Sequence, residues 1–86
     1  MAKKDFTFEI KEQIGVVYST IRGRKAGDAW AKEVNIVSWN GNPGKIDIRD
    51  WNEDHDRMGK GIALTEAEAR EVVAILTDYF NGKDGK

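Results

Sequence analysis

Along Phe6-Thr7-Phe8-Glu9-Ile10-Lys11 apolar and polar residues alternate with period two, the pattern of a strand with one buried face. The alternation carries on through Ile14, Val16 and Tyr18, with Gly15 placed for a bulge or bend. It breaks at Arg22-Gly23-Arg24-Lys25-Ala26-Gly27-Asp28, which reads as a mobile basic loop. A second strand is predicted from Trp30 to Trp39, with Val34 and Ile36 on one face and Asn35, Val37 and Trp39 on the other. Asn40-Gly41-Asn42-Pro43-Gly44 supplies residues that tolerate positive φ or fix φ, and marks a hairpin turn. A third strand, Lys45 to Trp51, sets Ile46 and Ile48 against Lys45, Asp47, Arg49 and Trp51. Residues 52–59 read as a polar, acidic loop, and Lys60 to Leu64 as a short fourth strand.

The pattern then changes period. Thr65 followed by Glu68 fits a capping box, in which each side chain satisfies the other residue's free backbone N–H. Apolar residues at Ala69, Val72, Val73, Leu76, Tyr79 and Phe80 share one helical face, Ile75 widens it, and Gly82 is placed to end the helix. A stripe this wide is more than one small sheet can cover. Val72, Ile75, Leu76, Tyr79 and Phe80 are therefore expected to form a seam with a second copy of the chain.

Size points the same way. Eighty-six residues make one domain, 1–86 with an ordered core over about 6–81, and a lone core of that size is marginal. With no cysteine, neither a disulfide nor a Zn–thiolate site can staple it. Extra stability is expected from a homodimer. No run of about twenty apolar residues is present and Met-Ala-Lys-Lys-Asp has no signal-peptide hydrophobic region, so the expected location is the cytoplasm.

Charge changes the picture only a little. The net charge is -1, without the bulk basic signature of a nucleic-acid binder. Residues 1–51 carry nine Lys/Arg against seven Asp/Glu, and residues 52–86 five against eight. This permits an anion-binding face in the N-terminal part without demanding one.

The third strand carries the candidate chemistry. Its polar face lines up Lys45, Arg49 and Trp51, and Trp39 can point to the same side across the hairpin. Bases of a single strand stack on aromatic rings while cations track the phosphates. Large aromatics more often fill cores, yet the isoleucine face is the expected core here, which leaves the tryptophans to be explained. Pattern alone leaves three readings open: nucleic-acid binding, a protein-interaction module docking through exposed tryptophans, and plain core.

Other constellations are weaker. His55 stands between Asp54 and Asp56, but three consecutive side chains do not converge on one ion and no second His or Cys adds ligands. Gly59-Lys60-Gly61 lacks the long glycine spacing of a P-loop. No nucleophile–base set or carboxylate pair stands out, so no enzyme activity, cofactor or metal is expected.

The run Ile46-Asp47-Ile48-Arg49-Asp50-Trp51, a loop, and Gly59-Lys60-Gly61-Ile62-Ala63-Leu64-Thr65 opening a helix resemble the single-strand DNA-binding domain of the transcriptional positive cofactor four family. The likeness is greater to that family's small bacterial YdbC-type members, in which Val37-Ser38-Trp39-Asn40-Gly41 and Glu53-Asp54-His55 also look familiar. It covers residues 30–80 well and the first strand more loosely. The resemblance implies an α+β fold: a curved four-stranded antiparallel sheet and one C-terminal helix, dimerised largely through the helix. It also implies binding of single-stranded DNA or RNA on the sheet, with little sequence preference, in transcription, replication or repair. Trp39 matches an aromatic at the end of the second strand, Arg49 the third-strand arginine, Trp51 an aromatic pair and Lys60 a basic residue before the last strand. With Lys45 and Lys32, these make the candidate interface: the tryptophans stacking on bases, the four cations neutralising phosphates. The family's eukaryotic hairpin is rich in lysine, whereas this one is Asn-Gly-Asn-Pro-Gly followed by Lys45.

Overall fold

The computed structural model describes residues 6–23 and 29–84. Most of the expected basic loop, residues 24–28, lies outside the described residues. Four strands, β1 (Phe8–Arg22), β2 (Trp30–Trp39), β3 (Lys45–Asn52) and β4 (Met58–Leu64), precede one helix, α1 (Glu66–Asp84). The strands form one open antiparallel sheet in the order β1-β2-β3-β4, so the fold is α+β as the pattern and the resemblance implied.

The β2–β3 turn sets the geometry. Asn40 and Gly41 both have positive φ, 54° and 79°, which is the turn whose twist matches that of the flanking strands. The Asn42 N–H donates to the Trp39 carbonyl at 3.0 Å, and the Ser38 hydroxyl donates to the Asn42 carbonyl at 2.6 Å. From this turn the register runs Ile36↔Ile46, Asn35↔Asp47, Val34↔Ile48 and Glu33↔Arg49. Each pair shares a face, so Val34, Ile36, Ile46 and Ile48 lie together and Glu33, Asn35, Val37, Asp47 and Arg49 lie on the reverse. Across β4 the isoleucine face continues with Ile62 and Leu64, opposite Ile48 and Ile46.

β1 is less regular. Its pairing with β2 shifts register between Ile10 and Glu12, between Gln13 and Gly15, and between Val17 and Arg22, so the alternation read along it does not stay on one face. The shift beside Gly15 is the bend expected there.

α1 begins as its sequence dictates. The Thr65 N–H donates to Glu68 Oε1 at 2.8 Å, and the Glu68 N–H donates to Thr65 Oγ1 at 3.1 Å. It does not stop at Gly82 but continues to Asp84. A glycine ends a helix by turning left-handed, and Gly82 is not among the positive-φ residues. Within the sheet α1 touches only β3 and β4, and along its apolar stripe only Ala69 and Val72 are half-buried. Val73, Ile75, Leu76, Tyr79 and Phe80 are all exposed.

The core is not where the alternation placed it. Trp51, 1% exposed, and Val37 are the buried apolar residues, and both lie on the face expected to be free. Val34, Ile36, Ile46 and Ile48 are only half-buried, because α1 covers just one edge of their face. Large side chains on the tryptophan face instead bury one another: the Phe8 ring lies 5.2 Å from Trp51 and 6.0 Å from Trp39. We therefore expect Trp51→Ala to cost about 3–5 kcal/mol in urea unfolding, the usual loss for a buried large aromatic. Ile62→Ala, on the exposed part of the opposite face, should cost clearly less. Equal costs would contradict this location of the core.

Candidate nucleic-acid interface

At one end of the tryptophan face an aromatic cluster surrounds Trp39. Phe6 lies 5.6 Å from its ring and Phe8 6.0 Å, and Arg49 Cζ stands 4.7 Å from the ring centroid. Phe6, Trp39, Arg49 and Ala63 line an open cleft of about 310 Å³. Trp39 is half-buried and Phe6 is well exposed. Here an indole on the sheet keeps an accessible edge beside an open space.

Arg49 is held rather than free. Its Nε donates to Asp47 Oδ1 at 2.7 Å and its Nη2 to Asp47 Oδ2 at 2.8 Å, a two-pronged pair between residues two apart on one strand. Its Nη1 donates to the Gly59 carbonyl at 3.4 Å and meets Met58 Sδ at 3.8 Å. Asp47 itself is fully buried.

Trp51 does not present a stacking face. Phe8 covers it from one side, and the His55 ring lies 5.6 Å away at 43°. His55 Nε2 is 2.9 Å from both carboxylate oxygens of Glu33, whose Oε1 also accepts from Asn35 Nδ2 at 3.1 Å. The loop carrying His55 is built by Asn52, which accepts the Arg57 N–H at 2.8 Å through Oδ1 and bonds Asp56 through Nδ2. His55 has φ 60°, the left-handed region. Among the described residues no three His, Asp or Glu side chains gather where they could hold a metal.

The remaining cations divide. Lys45 is exposed at the start of β3, in register with Val37 and so on the Trp39 face. Lys60 is exposed on β4, where the pairing with β3 is irregular between Arg49 and Trp51. Neither makes an ion pair with another described residue. Lys32 is on the opposite face: it is opposite Asp50, and Nζ reaches Asp50 Oδ1 at 3.1 Å. Arg22 Nη2 binds the other oxygen of Asp50 at 3.1 Å. The expected set of six thus resolves into Trp39 and Arg49 at one cleft, a buried Trp51, a Lys32 turned away, and two exposed lysines outside that cleft: Lys45, which also lines the groove beside α1, and Lys60 on β4.

Three buried polar atoms on the tryptophan face have no hydrogen-bond partner among the described residues: Asn35 Oδ1, Trp39 Nε1 and Trp51 Nε1. Each is destabilising, and such orphans are uncommon in cores selected for stability alone. Sequence reasoning missed Phe6 and Phe8 as members of the cluster, although their period-two spacing was visible. It missed the Asp47–Arg49 clamp, whose signal is the i, i+2 spacing that sets two strand residues on one face. Nothing local in the sequence points to Glu33–His55, which joins residues 22 apart.

Comparison with known proteins gives two matches. A model of the Transcriptional Coactivator p15 (PC4) family matches residues 27–75, which span β2, β3, β4 and the first half of α1. An uncharacterized protein of Treponema pallidum (strain Nichols) is 38% identical over 77 residues, covering 90% of this chain and 79% of the relative.

The Lys32 hydrogen bond, then that of Arg22 and the attraction of both charges, holds the Asp50 carboxyl below its ordinary 3.8, against the opposing effect of burial. A depressed carboxylate contributes stability that is complete above pH 3.8 and is lost as pH falls through its lowered pKa. The melting-temperature gap between the protein and Asp50→Asn should therefore be largest near neutral pH and close as the pH falls below 3.8. A gap that stays constant over that range would contradict the assignment.

Proposed function

The chain belongs to the Transcriptional Coactivator p15 (PC4) family, a non-enzymatic family that binds single-stranded DNA, and from that premise we propose that it is a cytoplasmic homodimer binding single-stranded DNA or RNA with little sequence preference. The observation that carries this reading is the cleft at Trp39, where an accessible indole, Phe6 and Arg49 meet on one sheet face. Bases stack on the indole and Phe6, and Lys45 and Lys60 neutralise phosphates. Trp51 supports this surface from beneath rather than stacking on a base itself, since it is buried. Equilibrium binding of this kind breaks no bond and suits transcription, replication or repair.

The dimer reading rests on the opposite face. A groove of about 530 Å³ separates the start of α1 from the β2–β3 hairpin, with Ile36, Ile46, Ala69 and Val73 on its walls and Lys45, Glu66 and Arg70 at its polar margin. Ile75, Leu76, Tyr79 and Phe80 continue the apolar surface along α1, and Leu76 alone is 47% exposed. So much exposed apolar surface on one helix favours a second copy of the same helix as its cover. Leu76→Lys should convert the dimer to monomer or to unfolded chain in equilibrium sedimentation; an unmodified protein that sediments as a monomer at micromolar concentration would end this part of the reading.

Binding is tested by anisotropy of a labelled oligo-thymidine across a salt series. Trp39→Ala should weaken binding by roughly 1–3 kcal/mol per stacked base and leave the salt slope almost unchanged. Lys45→Ala and Lys60→Ala should each lower the slope by about 0.7, the single-strand value per phosphate contact. Undiminished binding by folded Trp39→Ala would move the site elsewhere. A folded protein with no measurable binding at low salt would reject the function, and the docking of a protein partner through the same aromatics would then be the reading left.

A further inference from the structure

Arg49 is the residue that simple charge matching would assign to a phosphate, and its geometry does not suit that task. Both oxygens of Asp47 are bonded to it, at 2.7 and 2.8 Å, and its remaining Nη1 points to the Gly59 carbonyl and Met58 Sδ. The pair is close to neutral when seen from outside, and the Asp47 carboxylate repels any anion that approaches the same guanidinium. What the clamp leaves usable is the flat surface of the guanidinium, fixed 4.7 Å from the Trp39 centroid at the wall of the 310 Å³ cleft. The Arg49 side chain is 15% exposed, enough for a plane and too little for a mobile charge.

The opposite strand is shaped to allow this. Gly61 is the cross-strand partner of Arg49. A Cβ at position 61 would stand 2.1 Å from Arg49 Cβ and 2.4 Å from the Ile48 carbonyl oxygen, nearer than any side chain tolerates. Glycine there lets the arginine stem lie across β4 and bring its head over the indole. Asp47 sets the orientation of the guanidinium and Gly61 makes room for it. Neither needs to touch a ligand.

Resting on the reading of this protein as a single-strand binder, we infer that the cleft of Phe6, Trp39, Arg49 and Ala63 is a nucleobase subsite in which Arg49 acts as a second stacking plane and not as a phosphate contact, with Asp47 and Gly61 as its positioning residues. Unpaired bases stack on arginine planes as they do on aromatic rings. Trp39 and Arg49 thus form one composite platform whose contribution is insensitive to salt. Because a lysine cannot be clamped through two prongs or offer a plane, the site requires arginine and not merely a positive charge.

The test removes the pair without changing net charge. In the double variant Asp47→Asn/Arg49→Gln, affinity for oligo-thymidine should fall roughly 5- to 100-fold, the stacking contribution of one base, with the slope of log K against log salt unchanged. Arg49→Lys should lose a similar factor while keeping the slope. A slope lowered by about 0.7 in the double variant, or full affinity in Arg49→Lys, would overturn the inference. A measurement on the unmodified protein decides the matter if those variants fail to fold. The Arg49 Nε–H resonance should be observable when free, and should shift but persist when oligo-thymidine binds, because the clamp stays closed over a stacked base. Disappearance of that resonance on binding, or no shift at all, would overturn the inference while leaving the binding activity intact. No binding by the unmodified protein would instead remove the function on which it rests.

Discussion

The register of β2 against β3 is the constraint on which the rest of the molecule depends. The left-handed pair Asn40–Gly41 fixes where the chain reverses, and every cross-strand pair from Ile36↔Ile46 to Trp30↔Asn52 follows from it. Strand side chains alternate faces, so a slip of one residue would exchange the two faces completely. If β2 slipped, Trp39 and Val37 would turn toward the helix, and Val34 and Ile36 would take their place beside Arg49. The turn thus decides which side of the sheet offers aromatics and which side offers aliphatic surface.

The two faces are built for different work. One carries half-buried aliphatic residues that α1 covers only at β3 and β4. The other buries Trp51 and Val37 yet also buries Glu33, Asn35 and Asp47, with three polar atoms left unpaired among the described residues. A buried ion pair such as Asp47–Arg49 contributes little net stability, since desolvation offsets most of the attraction. Aliphatic residues of similar volume would have made a better core there. Its location beside the Trp39 cleft gives the pair a reason that stability does not.

Much of this was legible along the chain. Period-two sorting placed Ile46 and Ile48 opposite Lys45, Asp47 and Arg49, and the Thr65–Glu68 box marked the start of α1, because both signals are local. Gly82 misled, since a glycine permits a helix end without imposing one. The location of the core was misread for a different reason. Alternation says which residues share a face, but not which face is covered. That depends on α1 touching only one edge of the sheet and on Phe8 arriving over Trp51 through an irregular β1. Alternation set Arg49 on the tryptophan face, but Lys32, expected at the same interface, shares the face of Val34 and Ile36, and the partners of neither were legible. The Asp50 and Asp47 pairs turn two expected phosphate ligands into neutralised charges. The Glu33–His55 contact depends on a loop closing across the sheet and left no trace in the sequence.

The central claim is that the Trp39 face of an intact dimer receives a single strand by stacking first and charge second. Intrinsic tryptophan fluorescence of the unmodified protein, titrated with unlabelled oligo-thymidine at a low and a high salt concentration, tests it most directly. The account predicts saturable quenching at both, with an affinity that falls with salt by only the few phosphate contacts that Lys45 and Lys60 of two protomers supply. A folded protein whose fluorescence does not change at low salt would contradict it.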